Sequence, residues 1–541
     1  MRTRVFSAVA RALRLAQWCG EKHLPTREGV ERARAEEGLV LKRRALLLGA
    51  GAAGAGALAG CAEGVGAGAS GVRALSADVA VVGAGLAGLG CARDLERYGV
   101  TVSLYEGADR VGGRCWSLGG AFPGPVEFPG QVAERGGELI DTTHGTMRAW
   151  ANEFNLPLEN LHREPGELAY YFNGAHHTEA AVVEEFRVFV DRMRDDLRTV
   201  GEPTAASFTP QDALLDRMTL REYLSSRGAG TLAAKAIDEA YTAEYGVESD
   251  RQSCLAFLLF IHADRRGRFQ PFGVFSDEKF HVSTGNEGIV RGLHGSLSRP
   301  AELGHRLVRA RKTSSGRVEL TFQRGSRTVV RTHDAVVLTL PFSTLRLVDL
   351  DPSLGLPPWK TRVIQEFLQG TNAKQMVGFS SRPWAAQGSN GASYSDLENH
   401  QATWETNAIN ATATRAILTD YASGDRGARL DPSRSQTECE RFLADLDRVY
   451  PGARAAATRD RRGNVLSHLE HWPSNPMALG SYAANAPGYF TTLADLEGVP
   501  VGNVFFAGEH TSSFYEWQGF MEGAALSGLR AAAEVRAAFA R

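Results

Sequence analysis

Three groups of residues in this 541-residue chain have the types and spacing that chemistry requires. The first is Gly83-Ala84-Gly85-Leu86-Ala87-Gly88, directly after the β-branched run Asp78–Val82. Apolar residues at helical spacing follow (Leu89, Cys91, Ala92, Leu95), Gly99 ends the helix, and Val100–Tyr105 predicts a second strand ending at Glu106. Strand, GxGxxG, helix, strand and acid make a complete βαβ unit for a dinucleotide. Gly83 serves the tight turn, Gly85 lets the backbone approach a pyrophosphate, and Gly88 lets helix and strand pack closely. Leu86 and Ala87 open a helix whose free N–H groups and partial positive charge favour phosphate. Glu106 is placed to accept hydrogen bonds from a ribose.

The second group is one lysine. Thr371–Phe379 predicts a strand, and Lys374 lies inside it among Met376, Val377 and Phe379. A buried ammonium is costly unless it is paired or functional; the alternative is a surface lysine whose stem lies along the strand. The third group is C-terminal and aromatic: Trp472, then Gly480-Ser481-Tyr482, then Gly508-Glu509 and the run Trp517 to Gly523 with Phe520 and Met521. An apolar strand ending at Ala507 precedes these last residues, and an Ala/Leu helix starts at about Met521.

The glycine motif does not separate one dinucleotide from another. Arg110-Val111-Gly112-Gly113-Arg114, just after Glu106, adds a second loop with a guanidinium for the same pyrophosphate. With the C-terminal Gly508-Glu509 segment, this resembles the flavin-containing amine oxidase superfamily (monoamine, polyamine and L-amino acid oxidases) over about residues 75 to 541. The resemblance implies FAD as cofactor. It places Gly113, Arg114, Gly136, Gly137, Glu138, Leu139, Val308, Trp472, Gly508, Glu509, Phe520 and Met521 against it, beside Gly83, Gly85, Leu86, Ala87, Gly88 and Glu106. Lys374 corresponds to the flavin-facing lysine that holds a water and assists reaction with oxygen. Tyr482 and Phe520 correspond to the walls of an aromatic cage, with Trp517 on the same side. The monoamine oxidases carry a flavin-linked Cys where this chain has Ser481, so FAD is expected to be non-covalent.

The resemblance implies oxidation of a primary or secondary amine to an imine, hydrolysed to an aldehyde or ketone, with O2 reduced to H2O2. Flavin carries the electrons, and the protein orients the substrate and excludes water. An L-amino acid oxidase is the first alternative. It needs an arginine for the substrate carboxylate; Arg135, Arg148 and Arg346 are available, none in an identifiable motif. A flavin-binding redox sensor or assembly protein without turnover is the second.

Positioning these groups takes an α/β architecture. The expectation is a Rossmann-like FAD domain of the GR2 type, built from 73–155, 270–350 and 470–541. An α+β substrate domain is expected from 156–269 and 351–469. Helical patterns occupy Met147–Phe154, Glu184–Leu197, Leu232–Tyr245 and Ser253–Ile261. A strand meander is expected at Val308–Ala310, Val318–Phe322 and Val329–Arg331, and a buried strand in Asp334–Pro341.

A hydrophobic content of 43% supplies a large core, and a net charge of −2 gives no indication of nucleic acid as a partner. The six cysteines show no metal-ligand spacing, and no metal is expected. Arg265, Arg266 and Arg268 read as a solvated loop. Residues 1–72 read as a leader and linker. Lys42-Arg43-Arg44 before an Ala/Leu/Gly run fits a twin-arginine signal, and Leu58-Ala59-Gly60-Cys61 resembles a lipobox, implying export and a lipid anchor at Cys61. The alternative is a Gly/Ala linker after a basic arm in a cytoplasmic protein. The sequence leaves the oligomeric state open, a homodimer included.

Overall fold

A computed structural model describes residues 4–33, 77–161, 166–262, 277–407 and 414–540. A four-stranded parallel sheet carries the nucleotide motif. Its order is Thr101–Tyr105, Asp78–Val82, Ala335–Leu338, Val504–Phe506, so three distant stretches of chain meet in one sheet. Val79 to Val81, Ala335 to Val337 and Phe506 are fully buried, as continuous apolar strands covered on both faces must be. The Leu86–Arg97 and Met521–Phe539 helices cover one face together. Their backbones come so close that a Cβ on Gly528 would lie 2.2 Å from the Ala87 carbonyl oxygen.

The meander forms as expected, from Arg306–Lys312, Val318–Arg324 and Arg327–His333, with Asp349–Leu350 alongside. The expected helices also form, as Gly145–Glu153, Glu179–Thr199, Thr231–Tyr245 and Cys254–His262.

A seven-stranded mixed sheet builds the other half. Its order is Ser467–His471, Ala373–Phe379, Ala416–Ala422, His400–Glu405, Ser389–Leu397, Glu167–Phe172, Ala175–His177. The Ser435–Val449 helix packs its apolar stripe (Cys439, Phe442, Leu443, Leu446) on one face. On the other face lie Lys374, Tyr421 and Trp404, placed together by the Lys374–Tyr421 and Thr419–Trp404 register pairs. The Ser467–His471 strand belongs to this sheet although it straddles the boundary drawn at residue 470.

One expectation needs correction. The sequence reading sets residues 1–72 outside the fold, but residues 4–33 lie inside it. The Arg4–Glu21 helix buries Val9, Ala12, Leu13, Leu15 and Ala16 in the largest apolar core among the described residues, and Cys19 is buried beside them. Positions 9, 12, 13 and 16 are an i, i+3, i+4, i+7 pattern, which the Arg/Ala-rich composition obscures. The twin-arginine stretch, Cys61 and the basic run at Arg265–Arg268 lie outside the described residues. Among the described residues no helix is long and apolar enough to cross a membrane.

Candidate active site

A cavity of about 560 Å³ opens at the ends of the parallel-sheet strands, where Val82, Glu106, Thr339 and Gly508 line it. Its nucleotide end is backbone. Gly83 takes φ +107°, and a Cβ there would lie 2.4 Å from Thr339 Oγ1. Gly88 does not touch the cavity; a Cβ on it would lie 1.8 Å from the Gly83 carbonyl oxygen, so its absence lets the helix start beside the strand. Gly85, Leu86 and Ala87 then line the cavity. The first turn of the Met521–Phe539 helix lines it from another side, through Phe520, Met521 and Ala524. Two helix N-termini therefore face one space, which favours an anionic ligand. Glu106 lines the cavity while its carboxylate accepts from the N–H groups of Ala84 (2.7 Å) and Ala108 (2.8 Å).

Gly113, Arg114, Gly137, Leu139, Val308, Trp472, Gly508 and Glu509 also line it. Arg114 donates to Glu509 Oε1 (2.9 Å) and to the Ser481 carbonyl (2.6 Å), which ties the glycine loop to the C-terminal segment. Trp472 Nε1 donates to the Arg135 carbonyl at 3.0 Å. An elongated cradle with two helix N-termini, a guanidinium and a ribose-side acid fits the two phosphates and sugar of a flavin dinucleotide.

Lys374, Gly136 and Glu138 stand one layer behind. Lys374 is 1% exposed, and its Nζ donates to Glu138 Oε2 (2.6 Å), the Gly136 carbonyl (3.0 Å) and the Glu134 carbonyl (3.1 Å). Three ammonium donors meet three acceptors. Trp404 Nε1 donates to the other oxygen of Glu138 at 2.9 Å. Asn286 donates its amide to the Gly137 and Glu138 carbonyls (2.9 and 2.7 Å), and its backbone N–H bonds Glu134 at 2.7 Å. Burial pushes the Glu134 carboxyl well up, against the pull of its Asn286 and Ser117 hydrogen bonds. This network clamps the 134–139 segment, whose Gly137 and Leu139 reach the cavity.

At the aromatic end Tyr482 and Phe520 line the cavity. A small second cavity shares Tyr482, Gly519 and Phe520 with the first and continues to Glu244, Tyr245 and Asn485. Tyr482 donates to the Glu244 carbonyl (2.5 Å) and accepts from Tyr421 (3.1 Å). Burial, then the neighbouring Tyr421, hold the Tyr482 phenol far above its ordinary value, so it stays protonated. Trp517 lines neither cavity. It stands behind Phe520 (centroids 5.5 Å), and buried His144 packs edge-on to both rings. The aromatic cluster in the sequence thus divides into one ring at the cavity and one that backs it.

The three candidate carboxylate-binding arginines are used elsewhere. Arg135 pairs with Glu470 and lies over the Trp116 ring, Arg346 donates to the carbonyls of Phe342 and Phe367, and Arg148 donates to that of Thr142. None lines either cavity.

Sequence reasoning missed Asn286, Trp404 and Tyr421. Only Asn286 had a local signal, as the residue after the positive-φ Gly285 that opens the Glu287–Gly295 helix. Glu522 lies in the first turn of the Met521–Phe539 helix, but its carboxylate does not serve that helix. Instead it accepts from the N–H groups of Thr146 and Met147, both at 2.8 Å, and so caps the Gly145–Glu153 helix.

Residues 86–536 match the family model for flavin containing amine oxidoreductases. The putative flavin-containing monoamine oxidase AofH of Mycobacterium tuberculosis is 27% identical over 460 residues, covering 83% of this chain and 94% of that one. The putative L-amino-acid oxidase YobN of Bacillus subtilis is 25% identical over 471 residues, covering 82% and 91%. Among solved structures, cyclohexylamine oxidase from Brevibacterium oxydans superposes with a TM-score of 0.70 at 21% identity, covering 86% of this chain and all of that one. Putrescine oxidase bound to putrescine gives 0.68 at 20%, covering 86% and 99%. With its glycine cradle, guanidinium and clamped 134–139 segment on one cavity, this chain belongs to the flavin containing amine oxidoreductase family.

Proposed function

We propose that the protein oxidises a primary or secondary amine that carries no carboxylate, using non-covalently held FAD and O2. The observation that carries this reading is the charge at the aromatic end. Among the described residues lining the second cavity there is no cation, and the three arginines that could grip a carboxylate are all held by other groups. Among the described residues an amino acid's carboxylate there would meet no cation, and an uncompensated buried carboxylate costs several kcal/mol by order of magnitude. A neutral amine there meets the rings of Tyr482 and Phe520 and the uncharged polar groups of Tyr245, Asn485 and Gln518, with the phenol held by the Glu244 carbonyl and Tyr421.

Bound flavin supplies the two-electron acceptor. The residues supply the rest. Tyr482 and Phe520 orient the amine and keep water from it. The Met521–Phe539 helix N-terminus lines the cavity and would favour negative charge on a group bound against it. The Lys374 ammonium sits directly behind the cavity-lining 137–139 backbone, where a buried positive charge assists electron delivery to oxygen. Ser481 lines the cavity where the monoamine oxidases resembled carry a flavin-linked cysteine, and a hydroxyl forms no thioether.

The test is a peroxide-release screen of the yellow holoenzyme against monoamines, diamines and L-amino acids, paired with denaturation and centrifugation. Turnover of amines with flavin freed into the supernatant is expected. Peroxide from amino acids alone would replace this reading with the amino acid oxidase, and flavin retained on the denatured chain would remove the non-covalent assignment.

A further inference from the structure

We propose that residues 4–33 are a permanent wall of the amine-side half, so that the working enzyme keeps them rather than shedding them with a cleaved leader. The Arg4–Glu21 helix is not a surface appendage. From Arg11 to Gly20 none of its residues is exposed, and Val9, Ala12, Leu13, Leu15, Ala16 and Cys19 are at most 2% accessible. A helix surrounded on nearly every side is a core element. It packs against the Glu179–Thr199 and Thr231–Tyr245 helices and reaches the strands Ser389–Leu397 and His400–Glu405.

Polar contacts fix the segment as well. Arg11 pairs with Glu179 at 3.0 Å, both largely shielded. Arg187 donates to the Leu24 carbonyl (3.0 Å) and to Thr26 Oγ1 (2.8 Å), and Thr26 bonds Glu184. The chain then folds back as a helical stretch over residues 26–33. Gly29 meets the first helix so closely that a Cβ would lie 2.2 Å from Cys19 Sγ; Val30 and Ala33 are buried. Leaders removed after export need none of this complementarity.

The covered elements lead to the site. The Thr231–Tyr245 helix ends in Glu244 and Tyr245, which line the second cavity, and the His400–Glu405 strand carries Trp404, which holds Glu138. Losing residues 4–33 would leave the outer sides of both elements facing water. A cut anywhere between the Arg43-Arg44 pair and Cys61 would break the covalent link between these residues and everything they pack on. The arginine-rich run therefore functions, in this proposal, inside a retained chain.

The first experiment is the intact mass of the holoenzyme purified from cells. A chain that includes residues 4–33 is expected; a fully flavin-loaded, active chain beginning at or after Cys61 would overturn the proposal. The second uses full-length holoenzyme with a specific protease site placed between residues 62 and 70, cut after folding. The N-terminal fragment is expected to co-elute with the rest, and forced release to lower Tm by several degrees and raise KM. Release that leaves Tm and KM unchanged would overturn it. Leu13→Asp, which puts a charge at a 1% exposed core position, is expected to lower Tm without changing flavin stoichiometry; an unchanged Tm would count against the packed helix.

Discussion

At the nucleotide end of the cavity the walls are mostly backbone, and a side chain added at Gly83 or Gly88 would strike main chain or a buried hydroxyl. At the aromatic end the walls include the rings of Tyr482 and Phe520, held from behind by Tyr421, the Glu244 carbonyl and His144. The contrast separates two kinds of constraint. Backbone geometry admits one residue type per position and tolerates almost nothing else. A side-chain wall can be rebuilt around a new substrate while the cofactor cradle stays the same; relatives named as amine and amino acid oxidases both match this chain.

The largest effect should come from the rigid end. Gly88→Val drives its side chain into the Gly83 carbonyl, costs about 3 kcal/mol or more, and should yield protein without the flavin absorbance band. A yellow, active variant would break the contrast. Lys374→Met comes next. Removing a buried partner of Glu138 should cost roughly 3 kcal/mol of stability, and flavin reoxidation should slow by on the order of 100-fold, with reduction much less affected. Stopped-flow of the two half-reactions measures this; equal slowing of both would reduce Lys374 to positioning the 134–139 segment.

Smaller changes are expected at the adaptable end. Tyr482→Phe keeps the ring but loses the hydroxyl between Glu244 and Tyr421, about 1 kcal/mol, so KM should rise about 5-fold with kcat little changed. A pH-dependent effect tests the back of the seven-stranded sheet. Burial raises Asp420 from 3.8 to about 8. Between those values the folded chain holds a proton that the unfolded chain has lost, so this group makes stability fall as pH rises from about 4 to 8. Asp420→Asn should flatten that slope in denaturant titrations across the range; an unchanged slope would deny the buried acid. Trp517→Phe should matter least, with KM within about twofold, because the ring backs Phe520 without lining the cavity.

The two ends also differed in how far the sequence could be read. Gly83 to Glu106 is a local run, and residues of it line the same cavity as the Arg110–Arg114 loop and Gly508-Glu509. Tyr482 and Phe520 were found by likeness to a known cage. Trp404 and Tyr421 could not be found that way, because sheet register alone sets them beside Lys374. Trp517 was misplaced for the converse reason: closeness in sequence to Phe520 does not decide which ring faces the cavity. The N-terminal helix escaped notice because Ala and Arg mask a four-residue apolar pattern whose meaning depends on helices some 170 residues away.

The central claim is that amines, not amino acids, reduce the flavin. Anaerobic mixing of the holoenzyme with an apolar primary amine, a diamine and an apolar L-amino acid, followed through the flavin absorbance, tests it most directly. Bleaching by an amine with none by the amino acid is the predicted result. Bleaching by the amino acid alone would contradict the account and require a carboxylate-binding cation at the aromatic end.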